Sequence, residues 1–489
     1  MGKKLVLVNP ADVAKLNTTI IHLFTIPPPS LACLAALTPS DWDIRIIDEN
    51  IEPLTSEDAD LVGITAMTSN APRAYEISER YRRKGIKTVL GGVHASMLHD
   101  EAIQFVDSVV IGEAESVWET LVHDFEKNEL KQSYRGKRIS LEHLSRPRNE
   151  LYSNRYRFKA SVQTARGCPM DCEFCSVTSL HGRTYRQRPI HEVLDEVETL
   201  NCKEFLFSDD NILGYGKEAE ERAIQLFRGM VEKGLNKRWV SQVGIDFANN
   251  LEVLQWAQKA GCSGVLIGFE SINEETLRGM HKVRNLKVGV RNYREAIKKI
   301  HDHGIRIIGA FVFGSDGDRE DVFERTAKFI LDTKIDAAQL TTLTPLPGTR
   351  LYDRLRSEGR LLYTNYPDDW KRYDLFEAVF RPKHMSPDEL EEGVRQVYER
   401  VASRLASLRR ALDLLVHTGS LDWYGAVVTY LWNRGYRSFW IKKYEQRRNA
   451  LPSAVRDSYL SHPVTDEERS EVEFAEGCEE LPEVESSVR

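Results

Sequence analysis

Short aliphatic and β-branched runs alternate with amphipathic stretches over the first two thirds of the chain, and then stop. Lys4-Leu-Val-Leu-Val-Asn-Pro10 opens the series. Asp43-Ile-Arg-Ile-Ile-Asp48, Asp60-Leu-Val-Gly-Ile-Thr65, Lys87-Thr-Val-Leu-Gly-Gly92 and Ser108-Val-Val-Ile-Gly112 follow. Runs of this length, ending in Gly, Asp, Thr or Pro and separated by helical stretches, predict a parallel, doubly wound α/β sheet of five strands. Ligands in such sheets bind at the carboxyl ends of the strands. The loops there carry Pro10, Pro27-Pro-Pro29, Thr65 to Asn70 with Ser69, Gly91-Gly92-Val-His94 and Gly112-Glu113.

Residues 126–157 are polar and charged and predict a linker after a first domain of residues 1–125. A second strand–helix series then occupies residues 158–350. Its strands are Phe158-Lys-Ala-Ser-Val-Gln-Thr164, Glu204-Phe-Leu-Phe-Ser208, Trp239-Val-Ser-Gln-Val243, Gly264-Val-Leu-Ile-Gly268, Ile305-Arg-Ile-Ile-Gly309 and Ala337-Ala-Gln-Leu-Thr341. That makes about six βα units. Residues 351–462 read as a helical C-terminal domain, and 463–489 as an acidic disordered tail.

Composition narrows the class of partner. A chain of 489 residues with 41% hydrophobic and 29% charged residues has room for two or three domains. No apolar run is long enough to span a bilayer, and Met1-Gly-Lys-Lys leads into a strand rather than a signal peptide. A net charge of −7 argues against a nucleic-acid partner. Of the seven cysteines, Cys33, Cys202, Cys262 and Cys478 stand singly and read as buried small residues or incidental thiols.

The other three lie in Ala165-Arg-Gly-Cys-Pro-Met-Asp-Cys-Glu-Phe-Cys-Ser176. A CxxxCxxC places the thiolates of Cys168, Cys172 and Cys175 around one corner of a small cluster. A zinc knuckle would need a fourth ligand close by, which this stretch does not supply. The spacing, the preceding Arg-Gly and the aromatic Phe174 resemble the radical S-adenosylmethionine (radical SAM) superfamily. The N-terminal phrases resemble the flavodoxin-like cobalamin-binding domain of one large subgroup. The resemblance implies a partial (β/α)6 barrel, a [4Fe–4S] cluster on the three cysteines, S-adenosylmethionine chelated to the open iron, and cobalamin. It implies reductive cleavage to a 5′-deoxyadenosyl radical, an external reductant of flavodoxin or ferredoxin type, and a cytoplasmic location.

The resemblance also distributes roles. Phe174 faces the adenine; Asp209 and Asp210 replace the usual Gly-Gly-Glu after the second strand. Gln242, ending the fourth strand, is a ribose contact. Glu270 and Ser271, ending the fifth, take the ribose or amino group. Gly309 and Phe311 belong to a sixth, adenine-stacking strand. Pro10, Thr65, Ser69, Gly91, Gly92, His94, Gly112 and Glu113 are the cobalamin contacts. The DxHxxG signature that brings histidine to cobalt is absent, so no protein ligand is expected on the lower face.

Thr344-Pro-Leu-Pro-Gly-Thr349 and Met385-Ser-Pro-Asp-Glu389 look similar to hopanoid-methylase-like members. They imply methylation of an unactivated carbon in a small-molecule, lipid or polycyclic substrate. Ring formation or carbon–carbon coupling, and a noncatalytic B12 or iron–sulfur sensor, stay open as alternatives. Residues 404–448 carry Trp423, Tyr424, Tyr430, Trp432, Tyr436, Phe439 and Trp440 among Arg434, Arg437, Lys442 and Lys443. They read either as a helical cap on the barrel or as a surface touching a membrane or an apolar substrate.

Overall fold

A computed structural model describes residues 2–11, 25–55, 58–156, 158–417 and 423–450. The expected tail at 463–489, with Cys478, lies outside the described residues. The first sheet holds β1 (Lys4–Asn9), β2 (Asp43–Asp48), β3 (Leu61–Thr65), β4 (Lys87–Gly91), β5 (Ser108–Ile111) and β6 (Ser133–Arg135). Its order is β2-β1-β3-β4-β5-β6, and every pair is parallel. Alternation along β1 explains why both faces are covered. Leu5 and Leu7 pack with helix Pro29–Leu37 and Trp118, whereas Val6 and Val8 pack with Tyr75 and Ile77 of helix Ala71–Arg82. The strand order reverses beside β1, which opens a crevice at the carboxyl ends of β1 and β3.

The sheet has six strands rather than the expected five, because β6 lies inside the segment read as a linker. Ser133-Tyr-Arg135 is an edge strand with only Tyr134 buried, so its sequence lacks the apolar run of a central strand.

The second sheet holds β7 (Ser161–Val162), β10 (Glu204–Phe207), β11 (Arg238–Val243), β12 (Cys262–Glu270), β13 (Arg306–Phe313) and β14 (Ala337–Thr342). They lie parallel in the order β14-β13-β12-β11-β10-β7, with β7 and β14 unpaired to each other, so the barrel is partial. Two corrections concern this series. The first strand is only Ser161–Val162, and the strands expected fourth to sixth are the third to fifth, with β14 the sixth. Between β7 and β10, β8 (Ala165–Arg166) and β9 (Arg186–Gln187) form a small antiparallel pair that brackets the cysteine segment.

Residues of β13 alternate strictly. Ile307, Gly309, Phe311 and Phe313 face the buried helical layer, while Ile308, Ala310 and Val312 face the concave side. The helical cap is the reading that the C-terminal geometry supports. Trp440 is fully buried in the barrel core, Tyr436 and Tyr444 pack beside it, and Lys443 is buried in an ion pair with Asp374. Helix Pro387–Val401 starts at a Ser386–Glu389 capping box. Its Tyr398 hydroxyl donates to the Leu340 carbonyl and accepts from the Leu340 amide on β14. Among the described residues no helix is long and apolar enough to cross a membrane.

Candidate functional site

The cysteine segment begins where β8 ends. Gly167, at φ +91°, turns the chain outward, and a Cβ there would lie 2.4 Å from the Thr184 carbonyl oxygen. The loop runs through Cys168, Cys172 and Cys175 into helix Ser176–His181. All three thiols are free and partly buried. Cys168 Sγ lies 2.8 Å from the Tyr215 hydroxyl. Burial pushes the Cys172 thiol up and the Cys175 thiol up to about 11, against the pull of the Lys282 ammonium. Thiolates that held a metal cluster would have to lose those protons, and a nearby cation would favour the loss. Among the described residues no group of three His, Cys, Asp or Glu side chains is arranged to hold a single metal ion. Three free thiols in one loop, with a lysine beside them, fit a cluster bound at one corner.

That lysine belongs to a second group at the end of β12. The register slips between Gly268 and Glu270, and Glu270 sits at φ +59°. A non-glycine residue holds such a conformation only where its surroundings enforce it. The kink brings its carboxylate to Lys282, whose Nζ donates to Oε1 at 2.5 Å. A Cβ on Gly268 would lie 2.5 Å from that oxygen and 3.3 Å from Lys282 Nζ, so a side chain there would push the pair aside. Lys282 Nζ also stands 5.7 Å from the centre of the Phe174 ring. Burial opposes its charge, but Glu270 and Cys172 more than offset this and hold the ammonium above its ordinary value. Glu270, Phe174 and the cysteines thus come together as the sequence suggests. Lys282 and Tyr215 complete the group without any motif to mark them.

Other expected contacts are placed elsewhere. Asp209 is buried and spends both oxygens on the chain leading to the cysteines: Oδ1 accepts from the Thr164 and Ala165 amides at 2.7 and 2.9 Å, and Oδ2 from the Thr164 hydroxyl at 2.7 Å. Burial pushes its carboxyl up to about 6. It anchors the loop. Gln242 is exposed near the end of β11, while the Asp210 carboxylate accepts from the Gly167 amide at the start of the cysteine loop, and burial pushes its carboxyl up. Ser271 Oγ accepts from the Asn273 amide at 3.0 Å. Gly309 and Phe311 face away from the concave side; Phe311 stacks on Phe269 with ring centres 5.3 Å apart, and a Cβ on Gly309 would meet Ile335. Strand alternation puts Ala310 and Val312 where those two were expected.

At the carboxyl ends of the first sheet lies a cavity of about 550 Å³. Thr65, Gly91, Gly92, Gly112 and Glu113 line it, together with helix Pro29–Leu37 and the 139–147 segment. Gly92, at φ +97°, could not carry a Cβ without meeting the Ala66 carbonyl oxygen at 2.8 Å. Such a glycine cradle lets a large flat ligand approach the backbone and fits cobalamin.

Three expected members do not belong to this lining. Ser69 lines a neighbouring cavity. The Pro10 carbonyl accepts from Asn70 Nδ2 at 3.1 Å. His94 is fully buried, with Nε2 2.9 Å from the Tyr75 hydroxyl and 3.3 Å from Glu101 Oε1. Glu113 is at the cavity edge, but its carboxylate is committed: Arg186, Arg166, His181 and the Ile139 amide converge on it. Burial opposes that charge, and the hydrogen bonds and cations more than offset it, holding the carboxyl well below the usual range. The network ties β5 of the first sheet to both arms of the hairpin that carries the cysteines.

The comparisons agree with both halves. The Radical SAM superfamily profile matches residues 162–330, and the B12 binding domain profile matches residues 23–122. The chain is 32% identical over 398 residues to bacteriochlorophyllide d C-12(1)-methyltransferase of Chlorobaculum tepidum, covering 78% of this chain and 84% of that one. It is 27% identical to hopanoid C-2 methylase of Rhodopseudomonas palustris, over 69% of this chain and 66% of that one. In fold it matches the radical S-adenosylmethionine methyltransferase TsrM from Kitasatospora setae with cobalamin and a [4Fe–4S] cluster bound. The TM-score is 0.65 at 16% identity, over 90% of this chain and all of that one. The chain belongs to the radical SAM superfamily, among its cobalamin-dependent methyltransferases.

Proposed function

We propose that this enzyme methylates a carbon of a flat polycyclic small molecule of the tetrapyrrole kind. The observation that carries the reading is the Glu113 network. It locks the glycine-lined cavity of the first sheet to the hairpin holding the cysteines, so that two cofactor sites share one wall. Bound there, the cluster with S-adenosylmethionine supplies a carbon-centred radical and cobalamin carries the methyl group. The chain's own part is positioning and exclusion of water. Cys168, Cys172 and Cys175 hold three irons. Glu270 and Lys282, a preformed pair of opposite charges, take the ammonium and carboxylate of S-adenosylmethionine. The glycine-lined cavity of the first sheet, walled also by the 139–147 segment, would hold cobalamin, and His94, buried outside that lining, would not reach the cobalt.

The relative that methylates bacteriochlorophyllide d favours a tetrapyrrole over a lipid. A flavodoxin or ferredoxin donates the electrons. Any membrane contact falls on the exposed Leu405, Leu408 and Leu412 rather than on Tyr436 and Trp440, which pack inward. The test is an anaerobic comparison of pigments and lipids between a deletion strain and its complement. A tetrapyrrole short of one methyl group in the deletion strain is expected. An unchanged tetrapyrrole pool with an altered lipid would refute the substrate class.

A further inference from the structure

We infer that a second cavity, between the two sheets, seats one flat edge of the substrate; this rests on the tetrapyrrole reading above. The cavity holds about 390 Å³, toward the lower end of the range for small-molecule sites. Gln339 and Thr341 of β14 line one side, and Phe376, Tyr436 and Phe439 line another. Met67 and Val93 line both this cavity and the glycine-lined one, so a single wall separates the two.

The aromatic side is fixed in place. The Phe376 and Phe439 rings lie 5.1 Å apart at 68°. Lys443 Nζ stands 4.6 and 5.6 Å from their centres and 2.5 Å from Asp374 Oδ2. Tyr436 stacks on Trp432 at 5.3 Å and 10°. Rings held in advance lose little freedom on binding, and their faces and edges favour another π system. A saturated polycycle would gain burial alone and would present a thicker edge. Among the polar groups of the lining, the Gln339 amide can donate to a carbonyl or carboxylate on the ring edge.

The experiment uses cobalamin-loaded, cluster-reconstituted protein without S-adenosylmethionine, and zinc protoporphyrin as a fluorescent probe. Wild-type protein binds it. Phe439→Ala weakens binding roughly tenfold to a hundredfold, the effect of losing one buried aromatic partner. Phe439→Leu, which keeps most of the volume, loses less, and Gln339→Leu also binds more weakly. Leu408→Ala on the exposed helix face changes nothing. Iron and cobalamin content verify that the variants keep the fold. Full affinity in both Phe439→Leu and Gln339→Leu, with wild-type binding intact, overturns the seat and leaves the substrate class standing. No porphyrin binding by wild-type protein, with a hopanoid bound instead, overturns both.

Discussion

Removing Glu270 does two things, and the structure separates them. The Glu270–Lys282 pair is largely buried, with side chains 10% and 19% exposed. Glu270→Gln leaves the Lys282 ammonium without its partner beside Gly268 and Phe174. Breaking a buried pair from one side costs about 3–5 kcal/mol, so the single variant is destabilised whatever Glu270 does for a cofactor. Adding Lys282→Met removes the stranded charge, and the double variant should regain most of the loss, because neutral replacements of buried pairs are often close to neutral. Cofactor binding should not recover. A charge-assisted hydrogen bond contributes about 1.5–3 kcal/mol, and the double variant lacks two such partners. S-adenosylmethionine affinity should therefore stay down by at least roughly tenfold to a hundredfold. Chemical denaturation reads the first quantity, and equilibrium dialysis of the reconstituted protein reads the second. A double variant that regains stability and also binds S-adenosylmethionine at wild-type strength would refute the assignment.

Three further outcomes follow from the same geometry. Cys172→Ala should fail to retain four irons per chain and form no 5′-deoxyadenosine, whereas Cys202→Ala and Cys262→Ala should keep the cluster. Iron counting and product chromatography check this, and a full iron count in Cys172→Ala would contradict it. Asp209, raised by burial to about 6, should titrate near that value by carboxyl ¹³C NMR. Because the folded state then binds the extra proton, this residue's contribution to stability falls as pH rises from the ordinary 3.8 through about 6; a midpoint at or below 3.8 would refute the burial argument. Bound cob(II)alamin should give an electron paramagnetic resonance spectrum without splitting from a protein nitrogen, unchanged in His94→Ala. Splitting that vanishes in that variant would place His94 on cobalt.

Much of this architecture is legible in the sequence, for a simple reason. Strands buried on both faces, such as Leu5-Val-Leu-Val8, must be apolar throughout, and a three-thiolate loop has few other uses. What escapes is set by geometry that spacing does not encode. β6 is an edge strand with a single buried residue. β8 and β9 are two residues each and gain their order from the loop they bracket. Asp209 looks like any loop acid until the Thr164 and Ala165 amides are seen to point at it. Gly309 and Phe311 follow the family's strand pattern, yet the period-two alternation of β13 turns them outward. Lys282 reaches Glu270 from the turn after helix Glu274–Gly279, a contact between segments with no shared periodicity. The polar 139–147 segment reads as a linker because its role is to wall a cavity rather than to fill a core.

The account rests on methyl transfer by two cofactors held against one wall, and isotope-labelled S-adenosylmethionine tests that most directly. Reconstituted enzyme, supplied with cobalamin, a one-electron reductant, a tetrapyrrole substrate and S-adenosylmethionine deuterated in its methyl group, should yield product heavier by one intact deuterated methyl. 5′-Deoxyadenosine should form alongside it, with two equivalents of S-adenosylmethionine consumed per product. Formation of 5′-deoxyadenosine with a product that carries no label would contradict the account, since it would mean that the radical is made but the methyl group is not transferred.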